Sequence, residues 1–164
     1  MPRFDRIQDF VKERATVPHW QGPGHTYFVR YSLDDARIVD LTHPEVAPLV
    51  VTSLRHFDGT RLLLFDYTVM PDHVHCILKP LSDEGGTHNL RGLLCSMKRF
   101  SATRLNRFLG RRGRLWQEEH YDHVLRNEQD YREKAHYIYM NPVQAGLIDD
   151  PVKWPWWGLG SGPR

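Results

Sequence analysis

Two histidines, His73 and His75, are the first residues whose spacing suggests chemistry. They lie in the segment HVHCILK, whose apolar and β-branched residues predict a strand. Side chains alternate between the two faces of a strand, so both imidazoles project from one face and Val74 and Cys76 from the other. Two imidazoles so placed can chelate one metal ion, although a histidine pair on a strand more often has a surface or structural role.

A second group of reactive side chains lies in YREKAHYIYMNPVQAGL, residues 131–147. At helical spacing, Tyr137 and Asn141 are four residues apart and are neighbours on one flank, with Glu133 one turn earlier. Tyr139 points nearly opposite to Asn141, so a tyrosine that works with Asn141 must be Tyr137. The face expected to contact the core consists of Tyr131, Ala135 and Ile138.

A purely structural explanation also exists for this helix. Tyr137 would pack at the edge of the core, and Asn141 would only end the helix, because Pro142 disfavours helical geometry at the residue before it. Asn127 followed by Asp130 predicts the helix N-terminus. The helix is therefore predicted to run from about Asn127 to Met140.

A basic block lies between Arg91 and Arg114, where no Asp or Glu occurs although the net charge of the chain is only +2. Its members are Arg91, Lys98, Arg99, Arg104, Arg107, Arg111, Arg112 and Arg114. A block of one sign is typical of a phosphate-binding surface, although a solvated helix face gives the same pattern. Nearby aromatic residues available for core packing or base stacking are Phe100, Phe108 and Trp116.

The remaining elements follow from apolar spacing and turn residues. Strands are predicted over 25–32, 61–69 and 73–79, and a turn at 70–72 makes the last two a hairpin. Helices are predicted over 4–14, 44–57 and 89–109, the last closed by Gly110, with a short extended piece beginning at Leu115 and an extended tail over 151–164. Interleaved strands and helices favour an α+β sandwich, a mainly antiparallel sheet with helices on one face.

Length and composition predict one globular domain over residues 1–164, with a catalytic core at about 25–147 and a C-terminal tail at 148–164. The 40% apolar and 12% aromatic content argues against disorder. Two cysteines without metal spacing indicate a reducing compartment. The sequence shows no signal-like or membrane-spanning segment, so we expect a cytoplasmic location and no membrane partner.

The order of these motifs resembles one known group of enzymes. VMPDHVHCIL, a basic helix, WQEEHYDHVLRNEQDYREKAHYIYMNPVQAGLI and a tail with WPW are similar to the REP-associated tyrosine transposases. These are single-tyrosine transposases of the His-hydrophobic-His (HUH) nuclease superfamily. The similarity covers roughly residues 60–157, and the strand at 25–32 fits more loosely. It implies a ferredoxin-like or RRM-like α+β fold, an antiparallel sheet with flanking helices.

The resemblance also implies roles for individual residues. His73 and His75 would be metal ligands, Asn141 would complete the metal site, and Tyr137 would be the nucleophile. Such donors suit Mg2+ or Mn2+ once a DNA phosphate supplies negative charge, and imidazoles would also accept Zn2+ or Co2+. The implied activity is metal-dependent cleavage and rejoining of single-stranded or hairpin (REP-like) DNA through a covalent 5′-phosphotyrosine, by a monomer or homodimer.

The sequence does not identify the base that would deprotonate the nucleophile. A phenol with a reference pKa near 10 needs a base or metal assistance at neutral pH. Glu133, Lys134 and His123 are candidates, each alternatively an exposed or supporting residue around the metal ligands.

Three other functions fit parts of the pattern. The first is a domesticated hairpin-DNA-binding protein without autonomous transposition. The second is a metal-dependent phosphoesterase that combines the histidine pair with His120 and His123 and hydrolyses without a tyrosine adduct. The third is a plain nucleic-acid-binding module, with salt-dependent binding that is indifferent to metal.

Overall fold

The computed structural model describes residues 24–163, so the helix predicted over 4–14 lies outside the described residues. The strands are β1 Thr26–Ser32, β2 Leu62–Val69, β3 His73–Pro80, β4 Ser82–Asp83, β5 Gly86–Thr87, β6 Tyr121–Leu125 and β7 Trp157–Leu159. The helices are α1 Ala47–Arg55, α2 Leu90–Phe108 and α3 Glu128–Gln144, followed by a 3-10 turn at Pro151–Lys153.

Five of the strands form one antiparallel sheet in the order β6-β1-β3-β2-β7, and β4 and β5 form a separate small hairpin. The predicted hairpin is confirmed, because β2 pairs with β3 from Val69 opposite Val74 to Leu62 opposite Pro80. The order β1-α1-β2-β3-α2-β6 is a split βαβ arrangement of the ferredoxin-like kind. The predicted α+β fold class is therefore confirmed.

Helices cover both faces of the sheet, so the prediction of helices on one face is wrong. On the first face, α1 and α2 pack against residues such as Val29 and Cys76. On the second face, α3 packs against Phe28 and Ile77, their immediate neighbours in sequence. Since the central strands are apolar on both faces, each face must be covered by its own layer.

Both long helices begin at an asparagine cap; the cap at Asn127 was predicted, and the one at Asn89 was not. The Asn89 side chain accepts a hydrogen bond from the Gly92 N–H at 3.1 Å, and the Asn127 side chain accepts one from the Asp130 N–H at 2.9 Å. These bonds satisfy backbone donors that have no partner within the helix.

The C-terminal end of α3 differs from the prediction, because the helix continues through Pro142 to Gln144. Proline removes one donor, but the next turn still forms: the Ala145 N–H donates to the Asn141 carbonyl at 2.9 Å. Gly146, with φ of 71°, then allows the chain to leave the helix. Asn141 is thereby kept inside the helix.

The two edges of the sheet were not predicted as strands. Residues 121–125 form β6, whose mostly exposed side chains lack the apolar alternation of a typical strand. The tail is more ordered than an extended segment, since its 3-10 turn leads into β7, which pairs with β2. Gly158 lies against the Tyr67 hydroxyl and Gly160 against the Leu64 backbone, where a Cβ atom would overlap them. No helix within residues 24–163 is long and apolar enough to cross a membrane.

Candidate active site

The two histidines of β3 converge on the second face of the sheet, beside α3. The Nε2 atoms of His73 and His75 are 3.1 Å apart. The Asp72 carboxylate lies 2.6 Å from Nδ1 of His73 and can only accept, so Nδ1 carries the proton and Nε2 presents its lone pair. A carboxylate behind a histidine is a common support of a metal ligand, because it fixes the tautomer and the ring orientation.

The surroundings keep both imidazoles neutral. Burial is the largest cause that lowers the pKa of His75 to about 3, and the neighbouring His73, Arg30 and Lys134 contribute to the same shift. Burial also lowers the pKa of His73, and the polar contacts with Asp72 and Asn141 offset only part of this effect. Neutral imidazoles are the form that binds metal, so the pair needs no deprotonation at neutral pH.

Helix α3 brings Tyr137 and Asn141 to the histidines of the same chain. Asn141 is buried and in polar contact with the His73 ring. The Tyr137 ring centroid lies 5.4 Å from that of His75, and the side chain is 38% exposed, so a large substrate can reach it. Tyr139 packs instead against Trp157, at 5.2 Å between ring centroids. Of the two tyrosines, only Tyr137 contacts the histidine pair.

The donors at this site fit a divalent cation held by two imidazole nitrogens and one amide oxygen. No group of three His, Cys, Asp or Glu residues within the described range could hold a metal ion, and the side chain beside the histidine pair that could supply a third donor is the Asn141 amide. Nε2 of His120 lies 3.2 Å from the Asp122 carboxylate. Within the described residues, His120 and His123 do not form a metal site with the histidine pair. The arrangement expected of an HxH phosphoesterase using His120 and His123 is therefore not formed.

The sequence did not reveal two residues beside the histidines, Arg30 and Phe28. Arg30 on β1 lies directly opposite His75 of β3 and is exposed. No hydrogen bond or ion pair holds its guanidinium within residues 24–163, so it is available to an anionic ligand. Phe28 is buried and stacks on His75 at 5.3 Å between centroids. Only the pairing of β1 with β3 shows this proximity.

The three candidate bases differ in their positions. Lys134 lies 5.7 Å from the Tyr137 ring centroid and 5.0 Å from that of Phe28, so it is beside the nucleophile candidate. Glu133 is exposed, and its carboxylate accepts a hydrogen bond from Gln129 at 2.9 Å. His123 is exposed on β6, opposite Phe28. Lys134 is the candidate that contacts the tyrosine ring.

The basic block lies mostly on the other side of the sheet from the histidines, because α2 packs on the first face. Lys98 is occupied by the carbonyl oxygens of Gln117 and Glu118, each at 2.9 Å. Arg111 is likewise bound to Asn106 at 2.6 Å. The loop that follows α2 does approach the histidine end of the sheet, since the Asp34 N–H donates to the Leu115 carbonyl.

Two of the three aromatic residues near the basic block belong to the interior or to local stacks. Trp116 is buried, and its indole N–H donates to Ser101 at 2.8 Å. Phe100 stacks on His56 at 3.8 Å between centroids. Phe108, 50% exposed, is the member of this group open to solvent.

Two curated proteins that are similar to this chain in sequence have the same name. The chain is 32% identical over 96 residues to the REP-associated tyrosine transposase of Escherichia coli, covering 54% of this chain and 49% of that protein. It is 28% identical over 97 residues to a Haemophilus influenzae protein provisionally given the same name, covering 54% of this chain and 53% of the other. It thus spans about half the length of these curated relatives. No protein-family model matches the chain.

A solved structure shows the same fold. It is the structure of a REP-associated tyrosine transposase bound to a REP hairpin, with a TM-score of 0.68 and 23% identity, covering 87% of this chain and 81% of that one. The resemblance predicted from the two motifs is thereby confirmed: the chain is similar in sequence to REP-associated tyrosine transposases and shares the fold of one of them.

Proposed function

We propose that the protein is a metal-dependent DNA-strand transferase and endonuclease that cleaves and rejoins single-stranded or hairpin DNA. One observation carries the proposal: the Tyr137 ring lies 5.4 Å from a histidine pair whose Nε2 atoms are 3.1 Å apart, all within one chain. The relatives are transposases by name, and the solved relative is bound to a REP hairpin. We therefore propose such a hairpin, with its single-stranded flank, as the substrate.

His73, His75 and Asn141 would hold the divalent cation, with Mg2+ or Mn2+ the expected ions. Once bound, such an ion supplies charge neutralisation at the scissile phosphate. Asp72 would keep the lone pair of His73 directed toward the ion. Arg30, with a guanidinium free of partners within the described residues, would bind a phosphate oxygen beside the pair.

Tyr137 would act as the nucleophile. Its hydroxyl gives up its proton, and the oxygen forms a bond to phosphorus while the bond from phosphorus to the 3′ oxygen breaks. The 3′ oxygen takes up a proton and leaves as a hydroxyl, so protons balance overall. The product is a 5′-phosphotyrosine, which keeps the phosphodiester energy for rejoining to another strand. Lys134 places a positive charge 5.7 Å from the Tyr137 ring centroid, where negative charge develops during attack.

Incubation with a hairpin oligonucleotide carrying a single-stranded flank, in Mg2+ or Mn2+, tests the proposal. The wild-type protein should form a denaturation-resistant protein–DNA adduct, visible as a shifted band in a denaturing gel. Tyr137→Phe should abolish the adduct, whereas Tyr139→Phe should retain it because that ring packs against Trp157. His73→Ala should abolish the metal-dependent formation of the adduct while leaving much of the DNA binding.

Two results would contradict the proposal. An adduct that survives in Tyr137→Phe would reject the assigned nucleophile. Tight hairpin binding by the wild type without any adduct in either metal would leave a DNA-binding protein without strand transfer.

A further inference from the structure

A row of four side chains crosses the second face of the sheet. Tyr121 of β6 lies opposite Arg30 of β1, Arg30 lies opposite His75 of β3, and His75 lies opposite Thr68 of β2. Directly opposed residues in antiparallel strands project from the same face. Tyr121 and Arg30 therefore point to the side of the sheet that carries the histidine pair.

The outermost member of this row, Tyr121, is an exposed aromatic residue at the start of the edge strand. It is 54% exposed, and its ring centroid is 6.1 Å from that of the buried Phe28. The same Phe28 ring lies 5.9 Å from Tyr137 and 5.3 Å from His75. A single exposed aromatic residue is common on protein surfaces. Tyr121 differs from an ordinary surface residue because it contacts the Phe28 ring, which also contacts Tyr137 and His75.

The length of the row corresponds to a few nucleotides of a DNA strand. Neighbouring strands lie about 4.8 Å apart, so Tyr121 is roughly 10 Å from His75 across the sheet, with Arg30 halfway. A stacked strand advances about 3.4 Å per nucleotide, so a few nucleotides cover this distance. The order along the row is thus an exposed aromatic ring, a cation available to phosphate, and the candidate metal ligands.

We propose that Tyr121 is a base-stacking residue that positions the single-stranded flank of the DNA. A base near the scissile phosphate stacks on the exposed Tyr121 ring, and a backbone phosphate binds Arg30 between that ring and the histidines. Stacking on an aromatic ring tolerates any base, so Tyr121 contributes affinity and position rather than sequence selection. This inference rests on the proposed function, because it names the part of the substrate that the site contacts.

Fluorescence of a base analogue tests the inference. A set of hairpin oligonucleotides carries 2-aminopurine at each successive position of the single-stranded flank, and the protein is Tyr137→Phe so that binding is measured without cleavage. At least one position should be quenched on binding. Adding Tyr121→Ala should abolish that quenching and weaken flank binding about 10- to 100-fold, whereas Tyr121→Trp should restore both.

Phe108→Ala is the matched control, since Phe108 is similarly exposed, at 50%, but lies at the end of α2 on the other face. It should leave the quenching unchanged. Circular dichroism should show that Tyr121→Ala is folded, as expected for an exposed side chain.

The inference and the proposed function fail by different results. If adding Tyr121→Ala leaves the quenching of the parent Tyr137→Phe protein unchanged at every position, and flank binding is equally tight, the stacking role is rejected, whatever the cleavage assay shows. If the wild type forms no adduct but quenching still depends on Tyr121, the strand-transfer function fails and the stacking role stands.

Discussion

The two faces of the sheet are built differently. On the first face, α1 and α2 close an apolar core, and the buried hydroxyls of Ser53 and Ser101 bond only to backbone carbonyls of their own helices and to Trp116. The other buried polar side chains of the described residues lie on the second face, between the sheet and α3. They are Thr26, Asp66, Thr68, His75 and Asn141.

A buried polar group costs free energy unless it is bonded, so the second face is the less stabilising of the two. Two of its atoms, the Thr68 hydroxyl and Nδ1 of His75, are buried without a hydrogen-bond partner within residues 24–163. The first face therefore mainly stabilises the fold, and the second gives up stability to hold the candidate site. The predictions below test this division of roles.

The largest expected effect on stability is on the first face. Leu105 of α2 is fully buried, so Leu105→Ala should lower the free energy of unfolding by about 2–5 kcal/mol through lost burial and a residual cavity. His73→Ala on the second face should cost only about 1 kcal/mol, since it removes a partly exposed bond to Asp72. Urea denaturation of both variants measures the difference, and similar losses would contradict the division of roles.

The metal-free protein should lose stability in acid because of the second face. The pKa of His75 is about 3 in the folded chain, against about 6.5 for an unperturbed histidine, so the unfolded chain takes up the proton first as pH falls. The contribution of His75 to the free energy of unfolding is fully present above about pH 6.5. It declines as the pH falls toward about 3, by at most about 1.4 kcal/mol per pH unit.

Urea denaturation from pH 7 to pH 4 in EDTA tests this pH dependence. Carboxylates titrate over the same range, so the informative quantity is the difference between variants. His75→Gln should flatten the decline, whereas His43→Gln, at an exposed position, should leave it unchanged. Parallel curves for the wild type and His75→Gln would contradict the assigned cause.

One buried hydrogen bond should strengthen the attachment of α3 to the second face. The Tyr131 hydroxyl donates to the Asp66 carboxylate at 2.8 Å, and Asp66 is fully buried. Tyr131→Phe should lower the free energy of unfolding by about 1–3 kcal/mol, because the carboxylate loses a donor. Tyr139→Phe is the control, and an unchanged urea midpoint in Tyr131→Phe would show that this bond does not anchor the helix.

The last expected effect is on metal affinity and concerns the support of His73. Asp72→Asn keeps the size of the side chain but removes the charge behind Nδ1, so affinity for Mn2+ should fall about 10- to 100-fold. Calorimetric titration of Mn2+ in the presence of the hairpin oligonucleotide measures this change. Asp35→Asn, which removes an exposed carboxylate paired with Arg37, should leave the affinity unchanged. Equal affinities for Asp72→Asn and the wild type would remove Asp72 from the site.

The sequence predicted the elements whose local patterns are strong. Strands β1, β2 and β3, helix α2 and the start of α3 follow from aromatic and β-branched composition, apolar spacing and the Asn127 cap. The polar strand β6 and the short strand β7 lack such patterns, since edge strands are stabilised by their single neighbour rather than by a buried face. The covering of both faces was also missed, because alternation cannot show where a distant helix packs.

The residues of the candidate site also fall into a group that local patterns predicted and a group that only the structure shows. His73 and His75 share a face through strand alternation alone, and helix spacing alone places Tyr137 and Asn141 on one flank. Arg30, Phe28 and Tyr121 belong to strands that are distant in sequence, and only the strand order β6-β1-β3 brings them together. Local periodicity therefore predicted the residues that could do chemistry but not the surface around them.

The glycines of the C-terminal tail have a consequence for protein production. GLGSGPR resembles a flexible linker that could be trimmed when an expression vector is planned, yet β7 pairs with β2, and Gly158 and Gly160 lie flush on that strand. Trimming would uncover the hydrogen-bonding edge of β2 at Asp66, Tyr67 and Thr68. An uncovered strand edge is a template for pairing between molecules, so a shortened version should be prone to aggregation.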